Sequence, residues 1–427
     1  MKLWNKTTSI DKKIESFTIG DDPKYDMLLA GYDIQGSLAH AKMLHKIGYL
    51  NDEESKSISI GLKNILKRVE EGNFEIEEGV EDVHSQVEFM LIQEIGEPGK
   101  KLHLARSRND QIAVDLKLFY RDQLKQLKTS CLTLIEALLS KADAKKNTLM
   151  PGYTHSQAGM VSSFGLWYGS FAEALIDDVS LLNAVAKIVD QNPLGSAAGY
   201  GSSLPVDRVF TTHELGFQEV LVNSIYAQAS RGKAEYLIAF AVSTIAMTVN
   251  RLAGDLCLYS NENYGFVKLP EALTTGSSIM PHKRNPDVME LTRAKCNQLI
   301  SLPIQIQSLI LNMQTGYHRD YQLLKEQIFP ALEKILGVLD ITSYCIPLIE
   351  EAEDIMKNDR YRLCFTVENI NEKVKEGIAF RDAYHAVKEE VKEGSFVPVT
   401  STLEHTHLGS IGNPGIRELR DKLERVK

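Results

Sequence analysis

Ile238-Ala-Phe-Ala-Val242-Ser-Thr-Ile245-Ala-Met-Thr-Val249-Asn-Arg-Leu252-Ala-Gly-Asp-Leu256 is the stretch on which the fold turns. Its large apolar residues at 238, 242, 245, 249, 252 and 256 step by four and three alternately, which puts them on one face of a helix. Leu237, Phe240 and Ala241 widen that face. A helix apolar over so much of its circumference belongs inside a bundle or an oligomer interface.

The same reading extends along the chain. No Pro or Gly interrupts residues 121–150, which leaves room for a long helix there. Phe164, Trp167, Phe171, Ala174, Leu175, Val179, Leu182, Ala186 and Val189 predict a second apolar helix. A third is expected to start after Pro286 and run to about Met313, with Pro303 as a possible kink, and a fourth from about Tyr321 to Cys345, with Pro330 as a possible kink. Runs of strict apolar and polar alternation are scarce, so strands should be few, and the fold class is all-α.

Composition narrows the functional classes. The 427 residues carry 48 Lys and Arg against 57 Asp and Glu, a net charge of −9 that argues against a dedicated nucleic-acid binder but leaves room for a local basic pocket. The five cysteines, at 131, 257, 296, 345 and 364, include no CxxC pair and read as reduced thiols of a cytoplasmic protein, not as a disulfide framework or zinc site. MKLWNKTTSIDKK lacks the apolar core of a signal peptide, and the most apolar run, 237–247, is short of a bilayer span. The expectation is a soluble protein with no membrane partner.

Chemistry concentrates in short polar segments between the helices. Arg106-Ser-Arg-Asn-Asp-Gln111 precedes the long breaker-free run. Its Asp or Asn could cap a helix, and its two arginines with free backbone N–H groups could bind a carboxylate. Pro151-Gly-Tyr-Thr-His-Ser-Gln-Ala158 also precedes a helix. Its His155 is either a satisfied structural histidine or a proton-transfer group. Pro193-Leu-Gly-Ser-Ala-Ala-Gly-Tyr-Gly201 lacks a phosphate-binding pattern and reads as a flexible loop of small residues. Thr274-Thr-Gly-Ser-Ser-Ile-Met-Pro-His-Lys-Arg-Asn-Pro-Asp287 gathers hydroxyls, an ammonium, an amide and a proline that opens a helix. That set suits developing negative charge. Tyr317, Gln322 and Lys325 add ligand-type groups in one further region.

Together these segments resemble the fumarase/aspartase superfamily. Gly276-Ser-Ser-Ile-Met-Pro-His-Lys-Arg-Asn-Pro286 is similar to its signature loop. The Arg106–Gln111 block, the Thr154-His155 segment and the spacing of Tyr317, Gln322 and Lys325 resemble the argininosuccinate lyase family in particular. So do Tyr32-Asp33-Ile34-Gln35-Gly36-Ser37, Glu81-Asp82-Val83-His84 and, near the C-terminus, residues 377–384; the likeness spans about residues 25–390.

The resemblance implies a three-domain chain (1–105, 106–355 and 356–427) whose central helical bundle assembles into a homotetramer with active sites shared between subunits. It implies reversible β-elimination of argininosuccinate to arginine and fumarate, without metal or organic cofactor. Ser277 falls at the general base, Lys283 and Asn285 where the intermediate is stabilised, and His155 at the acid or its relay, with Glu290 as partner. Ser107, Arg108, Asn109, Thr154, Tyr317, Gln322 and Lys325 fall at substrate-binding positions, and His84 and Asp33 on matching segments. A serine hydroxyl is a weak base, so Lys283 and nearby amides must stabilise its oxyanion.

The chain departs from the family's usual forms at His282 and Arg284, at Ser156, in His103-Leu-Ala-Arg106 and after Ser196. Two other readings follow. The Lys283-Arg284-Asn285 run is closer to adenylosuccinate lyases, and a non-catalytic, crystallin-like relative would share the fold.

Overall fold

A computed structural model describes residues 11–77, 79–400 and 405–427. Most of the N-terminal stretch read above for a targeting signal, residues 1–10, lies outside them. Helices dominate, and among the described residues the strands form three two-stranded sheets. The long helices are Arg108–Ala144, Phe164–Val189, Lys233–Tyr259 and Leu323–Cys345. At 1.5 Å per residue the 37-residue helix Arg108–Ala144 runs about 55 Å. The breaker-free run and the apolar periodicity therefore predict helices where helices form.

Lys233–Tyr259 is long and apolar enough to cross a membrane by length and composition. Ile238, Val242, Ile245, Val249 and Leu256 are nevertheless fully buried in the protein's own core, and Leu252 is 1% exposed. Core burial is thus what the stripe serves here. The third expected helix is not one kinked rod. Asp287–Ile300 ends, and Leu302–Leu309 begins with Pro303 in its first turn, the position where a missing N–H is harmless. Pro330 stays inside the fourth helix.

Compactness divides the chain into two units, and each boundary falls within a helix. The first comprises residues 1–127, 181–243 and 299–334. In it Ala30–Lys46, Asp52–Glu70 and Val83–Ile95 pack around Ile34, Leu44, Ile58, Leu62 and Leu91. Asn51 opens the second of these with a full capping box to Glu54. A smaller core of Ala39, Val114, Leu118, Leu194, Leu215 and Phe217 holds the start of Arg108–Ala144.

The second unit comprises residues 128–180, 244–298 and 335–427. Its antiparallel hairpin, Leu149–Thr154 with Gln157–Ser163, feeds directly into Phe164–Val189. Behind the hairpin lie stacked aromatics: Tyr153 meets Tyr264 and Phe266, and Trp167 meets Tyr259. Trp167 donates its indole N–H to Asp255 at 3.0 Å. Gly165, two residues past the hairpin, lies so close to the turn after Arg108–Ala144 that a Cβ would sit 2.6 Å from the Lys146 Cα. Because that neighbour is backbone, Gly165→Ala should lower stability by about 1–3 kcal/mol, read as a reduced midpoint in chemical denaturation. A midpoint equal to wild type would show that the two elements separate freely.

Candidate active site

In the second unit the signature loop closes at its base. Thr275 and Asn285 pair as an antiparallel bridge, Thr275 Oγ1 donates to Asp287, and Arg284 embraces Glu271, with Nε at 3.1 Å. Asn285 turns its amide back to the Gly276 carbonyl at 3.3 Å. Between these anchors the chain from Gly276 to Arg284 is mostly exposed. Ser277 Oγ accepts the backbone N–H groups of Met280, at 3.2 Å, and Ile279, at 3.4 Å. Two N–H dipoles aimed at one hydroxyl oxygen favour its oxyanion, the stabilisation that a serine base requires. The Lys283 side chain is exposed and makes no ion pair among the described residues, so the amides alone supply that stabilisation within the loop.

His155 is not on a helix-entry loop. It and Ser156 form the two-residue turn of the hairpin, with φ of +52° and +61°. Positive φ at both central positions is the turn geometry that matches strand twist, and it normally recruits Gly or Asn. Thr154 and His155 are therefore exposed at a strained tip, held from behind by Tyr153. Glu290 is exposed in the first turn of Asp287–Ile300. The expected His155–Glu290 contact does not form within the chain, because each side chain faces solvent; among the described residues neither ring nitrogen of His155 has a partner.

The first unit gathers the other set. His84, Arg108, Asn109, Tyr317, Gln322 and Lys325 line one cleft of about 430 Å³ together with Asp22, Asp26, Asp82 and Arg231. Asp82 caps Val83–Ile95 through the Ser85 N–H at 2.8 Å and pairs with Arg108, so the cap and the cation are fixed together. Lys325, 3% exposed, lies 2.6 Å from Asp22 and 2.5 Å from Asp26. Burial pushes Asp22 up to about 6 against the pull of Lys325. Gln322 donates to the carbonyls of Thr18 and Ile19, and the Arg231 guanidinium stands 5.8 Å from the Tyr317 ring centre. The cleft lining thus carries cations and carboxylates together, a set that could hold a zwitterionic ligand.

Asp22, Asp26 and Arg231 carried no motif and were missed. Asp82 stood inside a quoted segment, next but one to His84. Ser107 and Asp33 support the cleft rather than line it. Ser107 precedes Arg108–Ala144, and its N–H is accepted by Asp110 at 2.9 Å, half of a capping box. The other Asp110 oxygen accepts the N–H groups of Gly195 at 3.0 Å and Ala197 at 2.8 Å. The Pro193–Gly201 segment, expected to be flexible, is thus pinned to the helix start. Burial outweighs these three donors and lifts the Asp110 carboxyl to about 6. Asp33 is fully buried behind His84.

A family model described as Lyase matches residues 6–301. The chain is 50% identical to the argininosuccinate lyase of Bacteroides thetaiotaomicron over all of this chain and 95% of that one. It is 42% identical to the argininosuccinate lyase of Thermotoga neapolitana over 91% of this chain and 98% of that one. Among solved structures it resembles EDDS lyase in complex with formate, with a TM-score of 0.79 and 21% identity over 96% and 89% of the two chains. It also resembles the class II fumarase of Schistosoma mansoni, with a TM-score of 0.71 and 16% identity over 92% and 95%. These structures show the fold.

Replacing Asp110 by Ala would leave three N–H groups without their acceptor at a buried helix start, at roughly 1–3 kcal/mol for each that water cannot reach. The expected loss is at least about 2 kcal/mol in urea unfolding. A loss under half that would mean the Pro193–Gly201 segment holds without this carboxylate.

Proposed function

The chain belongs to the argininosuccinate lyases of the fumarase/aspartase superfamily, and on that premise we propose how its own residues divide the chemistry. The reaction is the reversible elimination of argininosuccinate to arginine and fumarate, the step that yields arginine in its biosynthesis. Of the alternatives raised by the sequence, an adenylosuccinate lyase has the Lys283-Arg284-Asn285 run in its favour, but the full-length relatives are argininosuccinate lyases, and no feature of the site favours a non-catalytic relative.

In the proposed mechanism Ser277 removes a proton from the carbon next to a succinyl carboxylate. The electrons move into that carboxylate, giving an aci-carboxylate whose charge Lys283 and Asn285 neutralise. The C–N bond then breaks, the C=C bond of fumarate forms, and the departing guanidinium nitrogen takes a proton from His155 or through it, with Glu290 setting the charge of the ring. The observation that carries this assignment is the Ser277 hydroxyl lying under two backbone N–H groups on an otherwise exposed loop. Ser107, Arg108, Asn109, Thr154, Tyr317, Gln322, Lys325, His84 and Asp33 serve the substrate. Within this set the first-unit cleft takes the amino-acid end, its cations meeting the carboxylate and Asp22, Asp26 and Asp82 meeting the ammonium.

The proposed assembly is a homotetramer in which three chains build each site. Supporting it, the long helices expose large apolar side chains: Phe240 is 43% exposed, Met247 55% and Tyr344 61%. The exposed His155 and Glu290 would then find their partners on neighbouring subunits. The proposed setting is the cytoplasm, where five unpaired cysteines stay reduced.

Fumarate release, followed by its ultraviolet absorbance, tests the residue roles. Ser277→Ala should lose turnover by several orders of magnitude while remaining folded, and near-normal turnover would remove Ser277 as the base. Mixing inactive Ser277→Ala and His155→Ala chains under conditions that exchange subunits should restore part of the activity. No recovery in demonstrably mixed oligomers would confine each site to a single chain.

A further inference from the structure

Behind the first-unit cleft lies a buried polar cluster that the elimination chemistry does not use directly. His84, the second residue of Val83–Ile95, is 4% exposed and lines the cleft, while Asp33 is 1% exposed and Asp115 fully buried. The ring turns Nδ1 inward, 3.0 Å from Asp33 Oδ1 and 3.4 Å from Asp115 Oδ2. Gln111, one turn before Asp115 on Arg108–Ala144, donates its amide to the same Asp33 oxygen at 2.6 Å. With Nδ1 committed inward, the opposite ring nitrogen, Nε2, has no protein partner among the described residues. It is the atom left to face the cleft.

We propose that Asp33 and Asp115 are positioning residues for the elimination: they clamp the inner edge of the His84 ring, fixing Nδ1 as its protonated nitrogen and presenting Nε2 to the bound substrate. This rests on the reading of the cleft as the substrate's amino-acid end.

The two carboxyls do different work in the clamp. Burial raises Asp33, but the His84 hydrogen bond and its charge outweigh burial, so it stays below the ordinary carboxylate range as the anion that accepts Nδ1–H. Burial and then the Asp33 charge push Asp115 well above that range, so it holds its proton. Asp33 Oδ2, Gln111 Oε1 and both Asp115 oxygens are buried without partners. The three side chains also lie within 4.8 Å of one another, close enough to hold a divalent cation. Against that occupant, Asp33 Oδ1 already receives two N–H donors, and the Arg106 guanidinium adds positive charge to both carboxyls.

The test has two arms. Asp33→Asn and Asp115→Asn should each lower kcat/KM for argininosuccinate by about 10- to 100-fold. In a His84→Asn background the same changes should alter it less than about twofold, since they act through the ring. Losses that multiply fully in the double variants would overturn the proposal. The second arm needs no turnover and no stable variant of either aspartate. In the wild-type enzyme labelled with 15N-histidine, the imidazole signal lost in His84→Asn should show a protonated Nδ1. A neutral ring protonated at Nε2, or a signal that shifts when divalent ions are stripped by a chelator, would overturn it too. Failure of the lyase reading itself would show differently, as absence of fumarate release from the wild type.

Discussion

Helix starts hold much of the proposed site, while Ser277 and His155 stand on a loop and a hairpin turn. The first turn of any α-helix presents N–H groups with no intrahelical acceptor and the positive end of its dipole. Asp82 and His84 stand at the start of Val83–Ile95, Ser107, Arg108 and Asn109 at that of Arg108–Ala144, and Asn285 and Glu290 at that of Asp287–Ile300. Each start also needs a fixed entry path, and polar side chains provide it. Asp110 ties the Ser107 N–H to the Pro193–Gly201 segment, and the bridge between Thr275 and Asn285 sets where the signature loop leaves its helix. Buried apolar side chains along the long helices supply the rigidity behind such entries.

That division explains what could be read in the sequence. The stripe from Ile238 to Leu256 is legible because helical periodicity is a local property, and burial of those six side chains follows from it. The hairpin was not legible. Its strands are six and seven residues long, a bulge breaks their alternation near Gly152, and the turn uses His155-Ser156 where Asn-Gly would have announced it. The helix break near Ser301 was half legible: Pro303 signals an interruption, yet whether a proline kinks a helix or starts a new one depends on the residues packed around it.

The site divides in the same way. Ser277, His155, Lys283 and Arg108 stand in dense motifs, where unusual residue types crowd into a few positions. Asp26 has no such company, and only tertiary folding brings it to Lys325, 299 residues away. The acidic side of the cleft was therefore invisible to the sequence motifs. Net charge could not reveal this either, because −9 sums a surface of acids with a pocket of mixed charge.

Exposure sets the last constraint. In the proposed mechanism a serine oxyanion and a doubly charged intermediate would gain little from N–H donors while water competes for the same charge. Yet the second unit leaves the Ser277 loop, the His155 turn and Glu290 open to solvent. Strain at the His155 turn makes the point sharper: two successive residues in the left-handed region persist where something specifies that tip, and among the described residues the strand pairing and the aromatics around Tyr153 do so. An isolated chain thus has the donors for the chemistry without the dry, closed surroundings that would make them effective. The proposed tetramer answers that need with features already present, since the helices that position the motifs also expose the apolar side chains through which copies would pack.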